Sequence, residues 1–319
     1  MLSVIIPVYN GEKYIARCLD SLLPYASEKL EVIAVNDGSR DSSLSMLESY
    51  AEKYNAFRVI NKENGGAASA RQRGLAEASG KYVAFLDIDD YVDPQLYAVL
   101  LDKAEQTDAD IVFCDYTEVS DKKSSKIKNA FADDERFPLS GERAIEYLQT
   151  RQAIFPFPWN KIYKASLMSA IDFPEGNFVG EDYYMLLQLF GIADRVEYAE
   201  TAGYFYVLTE NSASRAGYSE ATKRAYEHFK YDHDYVCRLY PHMRKAVANY
   251  VITEYMACVI AMGRNKTYNK TMIKEIKAFI RKNLFGYLGA SYVPLTMKGS
   301  ALALTLSYRA LILAYKIMK

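Results

Sequence analysis

Up to Cys114 the chain alternates short, unbroken apolar runs with segments of helical spacing, and few architectures accept that order. The runs are Ser3 to Pro7, Glu31 to Val35, Phe57 to Ile60, Tyr82 to Leu86 and Ile111 to Cys114. Between them lie Ile15, Leu19 and Leu22, then Leu44, Leu47, Ala51 and Tyr54, then Ala67, Ala70, Gly74, Leu75 and Ala78, all at helical periodicity. Strand–helix–strand order of this kind predicts an α/β fold with a mostly parallel, doubly wound, Rossmann-like sheet. Val83 to Leu86 is apolar throughout, as a strand covered on both faces must be. Ligands of such sheets bind at the carboxyl ends of the strands, so the polar residues directly after each run should line one cleft.

The fourth run ends in three carboxylates, Asp87, Asp89 and Asp90, interrupted only by Ile88. Such a cluster is costly unless something positive answers it. Two carboxylates one residue apart at a strand end can share a hard divalent cation. An acidic turn before a helix, with Asp93 as N-cap and Pro94 in the first turn, would account for the same residues. After the first strand, Pro7-Val8-Tyr9-Asn10-Gly11 offers an aromatic ring to a flat base. After the second, Asn36-Asp37-Gly38-Ser39 offers a carboxylate to a base N–H. After the third, Glu63-Asn64-Gly65-Gly66 opens a helix bearing Arg71, where paired glycines allow close approach and a helix N-terminus favours anions. Each loop alone reads as an ordinary turn, cap or surface charge; their succession is what carries meaning.

At 319 residues, half of them hydrophobic, the chain has enough material for a large core and is not disordered. Its net charge of −1 hides an asymmetry: Arg238 to Lys319 carries +12 and the first 237 residues −13. An acidic body with a basic tail suggests two kinds of partner. Cys18, Cys114, Cys237 and Cys258 have no metal-type spacing and read as reduced, structural thiols. The N-terminus enters a strand without a signal-peptide pattern, which predicts a cytoplasmic location. Tyr116 to Arg136 is polar and charged and reads as an exposed loop or irregular insertion. Short strand-like runs follow at Arg195 to Tyr198 and Gly203 to Val207, and beyond about Ser219 the pattern is helical to the end.

In that tail, Lys270, Lys274, Lys277 and Arg281 form one face of a helix and Ile273, Ile276, Ile280 and Leu284 another. Lys298, Thr305, Arg309 and Lys316 share a narrow arc of a helical wheel. Arg309 interrupts the apolar run too early for a spanning helix, so an amphipathic helix lying on an anionic membrane surface is expected. Packing against the body or across a homodimer interface is the competing reading. No nucleic-acid motif accompanies the basic charge, so nucleic acid is not expected as a partner.

The segments SVIIPVYNGEKYIARCLDSLL, VIAVNDGSRDSS, NKENGGAASARQRGLAEASGKYVAFLDIDD, PWNKIYKASLM, VGEDYYM and ENSASR resemble, in order, the motifs of the family 2 glycosyltransferases. The resemblance implies a GT-A fold over residues 1–218, with a nucleotide-binding half (1–116) and an acceptor-binding half (117–218), followed by a helical region (219–319). It implies an inverting, metal-dependent transfer of a hexose or N-acetylhexosamine from a UDP-sugar to a glycan acceptor, probable partner a lipid-linked oligosaccharide, in bacterial cell-surface polysaccharide synthesis. Pro7 and Tyr9 would border the uracil, Asp37 would bond the base, and Asn64, Arg71 and Arg215 would help to hold the nucleotide. Asp87 would bind the ribose, with Ile88 beside it, while Asp89 would hold Mn²⁺ or Mg²⁺ against the diphosphate. Asp182 would be the catalytic base and Glu181 its acidic neighbour. Lys161 offers a cation to the diphosphate or acceptor, and Trp159 a face to a sugar ring or to the core. Two departures stand out: many members have two aspartates where this chain has Asn36-Asp37, and Ile88 replaces a small residue. A sugar-nucleotide nucleotidyltransferase would need a glycine-rich loop in place of PVYNG, and a non-catalytic binding protein would not need both Asp89 and Asp182.

Overall fold

The apolar runs of the first third form the strands expected of them. In the computed structural model, which describes residues 1–25, 29–120, 123–129, 131, 135–173, 180–208 and 218–317, β1 (Leu2–Val8), β2 (Leu30–Asp37), β3 (Phe57–Lys62) and β4 (Tyr82–Phe85) alternate with α1 (Ile15–Leu22), α2 (Ser43–Lys53) and α3 (Ala67–Leu75). There follow β5 (Tyr91–Val92), α4 (Leu96–Thr107), β6 (Ile111–Cys114), β7 (Tyr116–Val119), β8 (Ser124–Ile127), α5 (Gly141–Thr150), β9 (Lys161–Lys164), α6 (Ala165–Met168), α7 (Glu181–Ile192), β10 (Val196–Ala199) and β11 (Tyr204–Val207). The chain divides into two units: residues Met1–Ile145, Phe155–Asn177 and Asp182–Thr209 make the first, and Glu146–Ile154, Phe178–Glu181 and Glu210–Lys319 the second.

The first unit is built on a seven-stranded sheet of order β10-β6-β9-β4-β1-β2-β3. β1 pairs in parallel with β2 and β4, β2 with β3, and β6 with β10. Only β9 runs against its neighbours β4 and β6. Val4, Ile5, Ile6, Val32, Ile33, Ala34, Val83, Ala84 and Phe85 are buried, as continuous apolar strands covered on both faces must be. Burial stabilises each such aliphatic side chain by about 1.5–3 kcal/mol. Gly74 lets α3 lie close on the sheet, since a Cβ there would stand 2.5 Å from Ile5 Cγ2.

A second sheet of order β5-β11-β7-β8 occupies part of the sequence expected to be irregular. The polar stretch after Tyr116 is a strand pair, not a loop: β7 pairs antiparallel with β8, and β8 shows alternating exposure. A lysine-bearing edge strand keeps its charges in water, so its apolar signal is weak. The turn at Asp93-Pro94 also differs from expectation, since α4 starts two residues later, at Leu96. Asp93 Oδ1 instead accepts from the Gln95 N–H at 2.9 Å and its carbonyl from the Leu96 N–H at 3.0 Å.

The second unit contains α8 (Glu220–Leu239), α9 (Arg244–Asn265), α10 (Lys270–Gly289), α11 (Leu295–Leu306) and α12 (Tyr308–Ile317). The helical stretch Pro241–Arg264, of hydropathy 1.4, has the length and composition of a membrane span, but 67% of its apolar window is buried within the protein. It is the central helix of this unit, burying Val247, Val251, Ile252, Tyr255, Met256 and Val259. The two faces expected of α10 are present: Ile273, Ile276 and Ile280 are buried, while Lys270, Lys274 and Arg281 are exposed. The single helix expected beyond residue 295 is broken at Ser307, whose φ of −155° and ψ of 143° are extended. The arc joining Lys298 and Thr305 to Arg309 therefore does not persist.

Candidate active site

Four strand ends of the first unit bring the polar loops together. Beyond β2, the Asp37 carboxylate accepts from Lys62 Nζ (2.6 Å), the Gly65 N–H (2.9 Å), the Gly66 N–H (2.7 Å) and Asn64 Nδ2 (3.2 Å). Asn64 Nδ2 also donates to the Asp37 carbonyl at 2.8 Å. This buried acid, expected to bond a base, instead turns both oxygens to the glycine loop that opens α3. Gly38 is required beside it: its φ is +69°, and a Cβ would meet Asn64 N at 2.8 Å. The loop beyond β1 is fastened to the loop beyond β2, with Asn10 Oδ1 accepting from the Arg40 N–H at 2.8 Å and the Gly11 N–H donating to Ser43 Oγ at 2.8 Å. Tyr9 stands out from this pair of loops, 49% exposed, and Pro7 lies two residues before it, partly buried in β1.

The acids beyond β4 are answered by two arginines. Arg71, on α3 and almost fully buried, donates from Nη2 to Asp87 Oδ1 at 3.2 Å and from Nη1 to Asp182 Oδ1 at 2.8 Å. Its guanidinium lies 5.7 Å from the centre of the Phe85 ring. Arg17 of α1 donates to the Asp89 carbonyl at 2.5 Å. Withdrawal from water is the largest influence on Asp89 and raises its carboxyl above the ordinary range, Asp87 adding to the rise. Among the described residues no side chain donates to the Asp89 carboxylate.

Asp90 is turned inward. Its N–H donates to the Asp87 carbonyl at 3.0 Å, and its carboxyl accepts from Tyr204 Oη at 2.8 Å and the Val207 N–H at 2.7 Å. Burial, with the Asp87 charge behind it, pushes Asp90 up to about 8. Tyr204, which sequence reasoning did not single out, also accepts from the Asp87 N–H at 3.3 Å and stacks on Trp159 with ring centres 4.2 Å apart. Trp159 is buried, stacked on Phe157 as well, and belongs to the aromatic core. Lys161 does not reach out as a free cation: its buried amine donates to Phe155 O (3.1 Å), Phe157 O (2.7 Å) and Asn160 Oδ1 (2.6 Å), and burial pushes it down to about 7.

Asp182, the second residue of α7, has a third of its side chain exposed. Withdrawal from water raises its carboxyl above the ordinary range, and Arg71 opposes that rise. Glu181 precedes it at the start of the helix, partly exposed, and Ile88 packs partly buried against the core. Arg215 lies outside the described residues. Lys62 was missed as Asp37's counter-charge, although its place just before ENGG at the end of β3 was a usable signal.

Oxygen donors such as Asp89 suit Mn²⁺ or Mg²⁺. Among the described residues no group of three or more His, Cys, Asp or Glu is arranged to enclose a metal by itself. Asp89 would supply one oxygen ligand to such an ion.

A mostly parallel sheet with carboxylates beyond its central strand, followed by helices, defines the GT-A class of α/β fold. The Glycosyl transferase family 2 profile matches residues 3–171, and the chain belongs to that family. It is 33% identical over 224 residues to the uncharacterized glycosyltransferase EpsJ of Bacillus subtilis, a match covering 69% of this chain and 65% of EpsJ. The chain thus spans just under two thirds of that relative. It superposes on S. aureus TarS 1–349 with a TM-score of 0.66 at 20% identity, covering 100% of this chain and 92% of that fragment. The same fragment in complex with UDP-GlcNAc gives a TM-score of 0.59 at 19% identity, with the same coverage. The mannosyltransferase PcManGT of Pyrobaculum calidifontis, in complex with GDP-Man and Mn²⁺, gives 0.56 at 17% identity, covering 99% of this chain and 86% of that one.

Proposed function

We propose that this chain is an inverting glycosyltransferase that moves a hexosyl or N-acetylhexosaminyl group from a UDP-sugar to a glycan hydroxyl in bacterial surface polysaccharide synthesis. The observation that carries the reading is the Asp87–Arg71–Asp182 bridge, with the Asp89 carboxylate beside it. Family membership supports the reaction class, and the UDP-GlcNAc complex of TarS supports the donor.

The donor's base packs on Tyr9 and is bordered by Pro7, with Asp37 presenting its loop to the base. Asn64, Arg71 and Ile88 border the nucleotide, Arg215 contributes from its own segment, and Asp87 binds the ribose. Asp89 would hold a divalent metal, which would compensate the charge that builds on the departing diphosphate. Asp182 Oδ2, the oxygen opposite the one held by Arg71, accepts the acceptor hydroxyl's proton as that oxygen attacks the anomeric carbon. The C1–O bond to the diphosphate breaks on the other face, so configuration inverts and UDP leaves. Burial makes Asp182 a stronger base than a solvated aspartate, and Arg71 opposes that rise. Glu181 adds acidic charge at the start of the same helix.

The acceptor is proposed to be lipid-linked, with the enzyme peripheral on the cytoplasmic face of the membrane. The apolar face of α10 is buried within its unit, so it is Leu302, Leu306 and Leu313, all exposed on α11 and α12, that support a membrane contact or a homodimer contact. Release of UDP is to be measured over a panel of UDP-sugars, with GDP-mannose for comparison, in Mn²⁺. Asp182→Asn is expected to slow transfer by about 10²–10⁴-fold; transfer at the wild-type rate would remove Asp182 from the role of base.

A further inference from the structure

The second unit contains a cleft of about 370 Å³ lined by the charged face of α10. Lys270, Lys274, Lys277 and Arg281 all line it, Ile273 contributes an apolar wall, and Tyr268 and Tyr308 stand at its side with ring centres 4.8 Å apart. No acid is among its lining residues, and among the described residues none of the four cations forms an ion pair. Glu275, the only acid on α10, instead accepts a hydrogen bond from the Tyr226 hydroxyl.

Two of the cations are partly engaged. Lys277 Nζ donates to Leu306 O at 3.0 Å and Arg281 Nη2 to Thr305 O at 2.8 Å, so both cap the carbonyl end of α11. Each retains further N–H groups, and Lys270 and Lys274 donate to no described residue. Holding four like charges in one concave wall is unfavourable without a counter-anion. At 1.5 Å per residue, the four Cα positions are spaced by about 6, 4.5 and 6 Å along the helix, about 16 Å in all. The four side chains leave the helix in a row, and an anion with several linked phosphates meets more of them than orthophosphate does.

We propose that this cleft binds a ligand carrying two or more phosphate groups in line. Lysine and arginine donors give charge-assisted hydrogen bonds to the phosphate oxygens. The tyrosine side packs against whatever links the phosphates. This assignment does not depend on the transferase reading, since neither donor nor metal is needed to test it.

The full chain, in EDTA at low salt, is titrated calorimetrically with sodium tripolyphosphate and with orthophosphate. In a second arm it is floated with phosphatidylglycerol–phosphatidylcholine vesicles and with phosphatidylcholine alone. Lys270→Glu/Lys274→Glu and Lys270→Gln/Lys274→Gln, which leave the caps on α11 intact, serve as variants, with thermal melting as the check on folding. Wild type is expected to bind tripolyphosphate about tenfold or more tighter than orthophosphate, and both variants to weaken that binding about tenfold or more. Tripolyphosphate preference assigns a linked phosphate chain; flotation with the anionic vesicles alone, or orthophosphate bound as tightly as tripolyphosphate, assigns single phosphates and overturns the proposal. Absence of wild-type binding in both arms, or binding that both folded variants retain, overturns the proposal.

Discussion

Arg71 reaches Asp182 with one terminal nitrogen and Asp87 with the other, so one guanidinium serves both the proposed base and the proposed ribose contact. Lysine, a single point charge, cannot reproduce that fork. Arg71→Lys is therefore expected to lower kcat and raise the donor KM together. Arg71 lowers the Asp182 carboxyl, so removing it must raise the base further. The low-pH limb of the kcat/KM profile should accordingly move to higher pH in Arg71→Ala; an unmoved limb would uncouple the two residues. Arg71 was legible in the sequence because a glycine pair opens its helix, but its bridge to a residue beyond position 180 was not. Lys161 was misread because nothing local separates an exposed amine from one bound by three acceptors inside an aromatic loop.

At the scale of elements, the acid run beyond β4 divides its labour between two sheets. Asp89 stays available, while Asp90 is bonded to β11 through Tyr204 and Val207. An amide replaces Asp90 with the same shape and no charge to bury, so Asp90→Asn is expected to retain transfer, whereas Asp89→Asn should lose most of it. Asp90→Ala leaves a hydroxyl and an N–H unsatisfied and should cost about 2–5 kcal/mol in denaturant unfolding. Equal activity of the two asparagine variants would contradict this division. The parallel strands were legible because burial on both faces leaves an unbroken apolar record. β7, β8 and β9 are four residues each, and charged or polar positions blur their periodicity. The break at Ser307 carries no proline or glycine, so α11 and α12 read as one helix until their backbone is seen.

For the molecule as a whole, a few buried ionisable groups govern stability. Asp232 on α8 is buried, and neither of its carboxylate oxygens has a hydrogen-bond partner among the described residues. Burial pushes it up to about 8 from 3.8. The folded form then holds a proton that the unfolded chain has lost, so stability falls as pH rises from about 4 to about 8 and levels off above that. Asp232→Leu removes the penalty and should stabilise the protein by a few kcal/mol at pH 8, with little effect near pH 4, as read from melting temperatures at both ends. A gain equal at both pH values would assign the effect to packing. Asp90 adds a penalty of the same sign, and Lys161, pushed down to about 7 from 10.5, acts oppositely and regains stability as pH rises through that interval. At neutral pH the two acids bind protons on folding and the lysine gives part of one up, so these three groups together take up protons from the buffer. The calorimetric heat of unfolding should therefore change with the ionisation enthalpy of the buffer, which makes these interior groups countable in a calorimeter without any substrate.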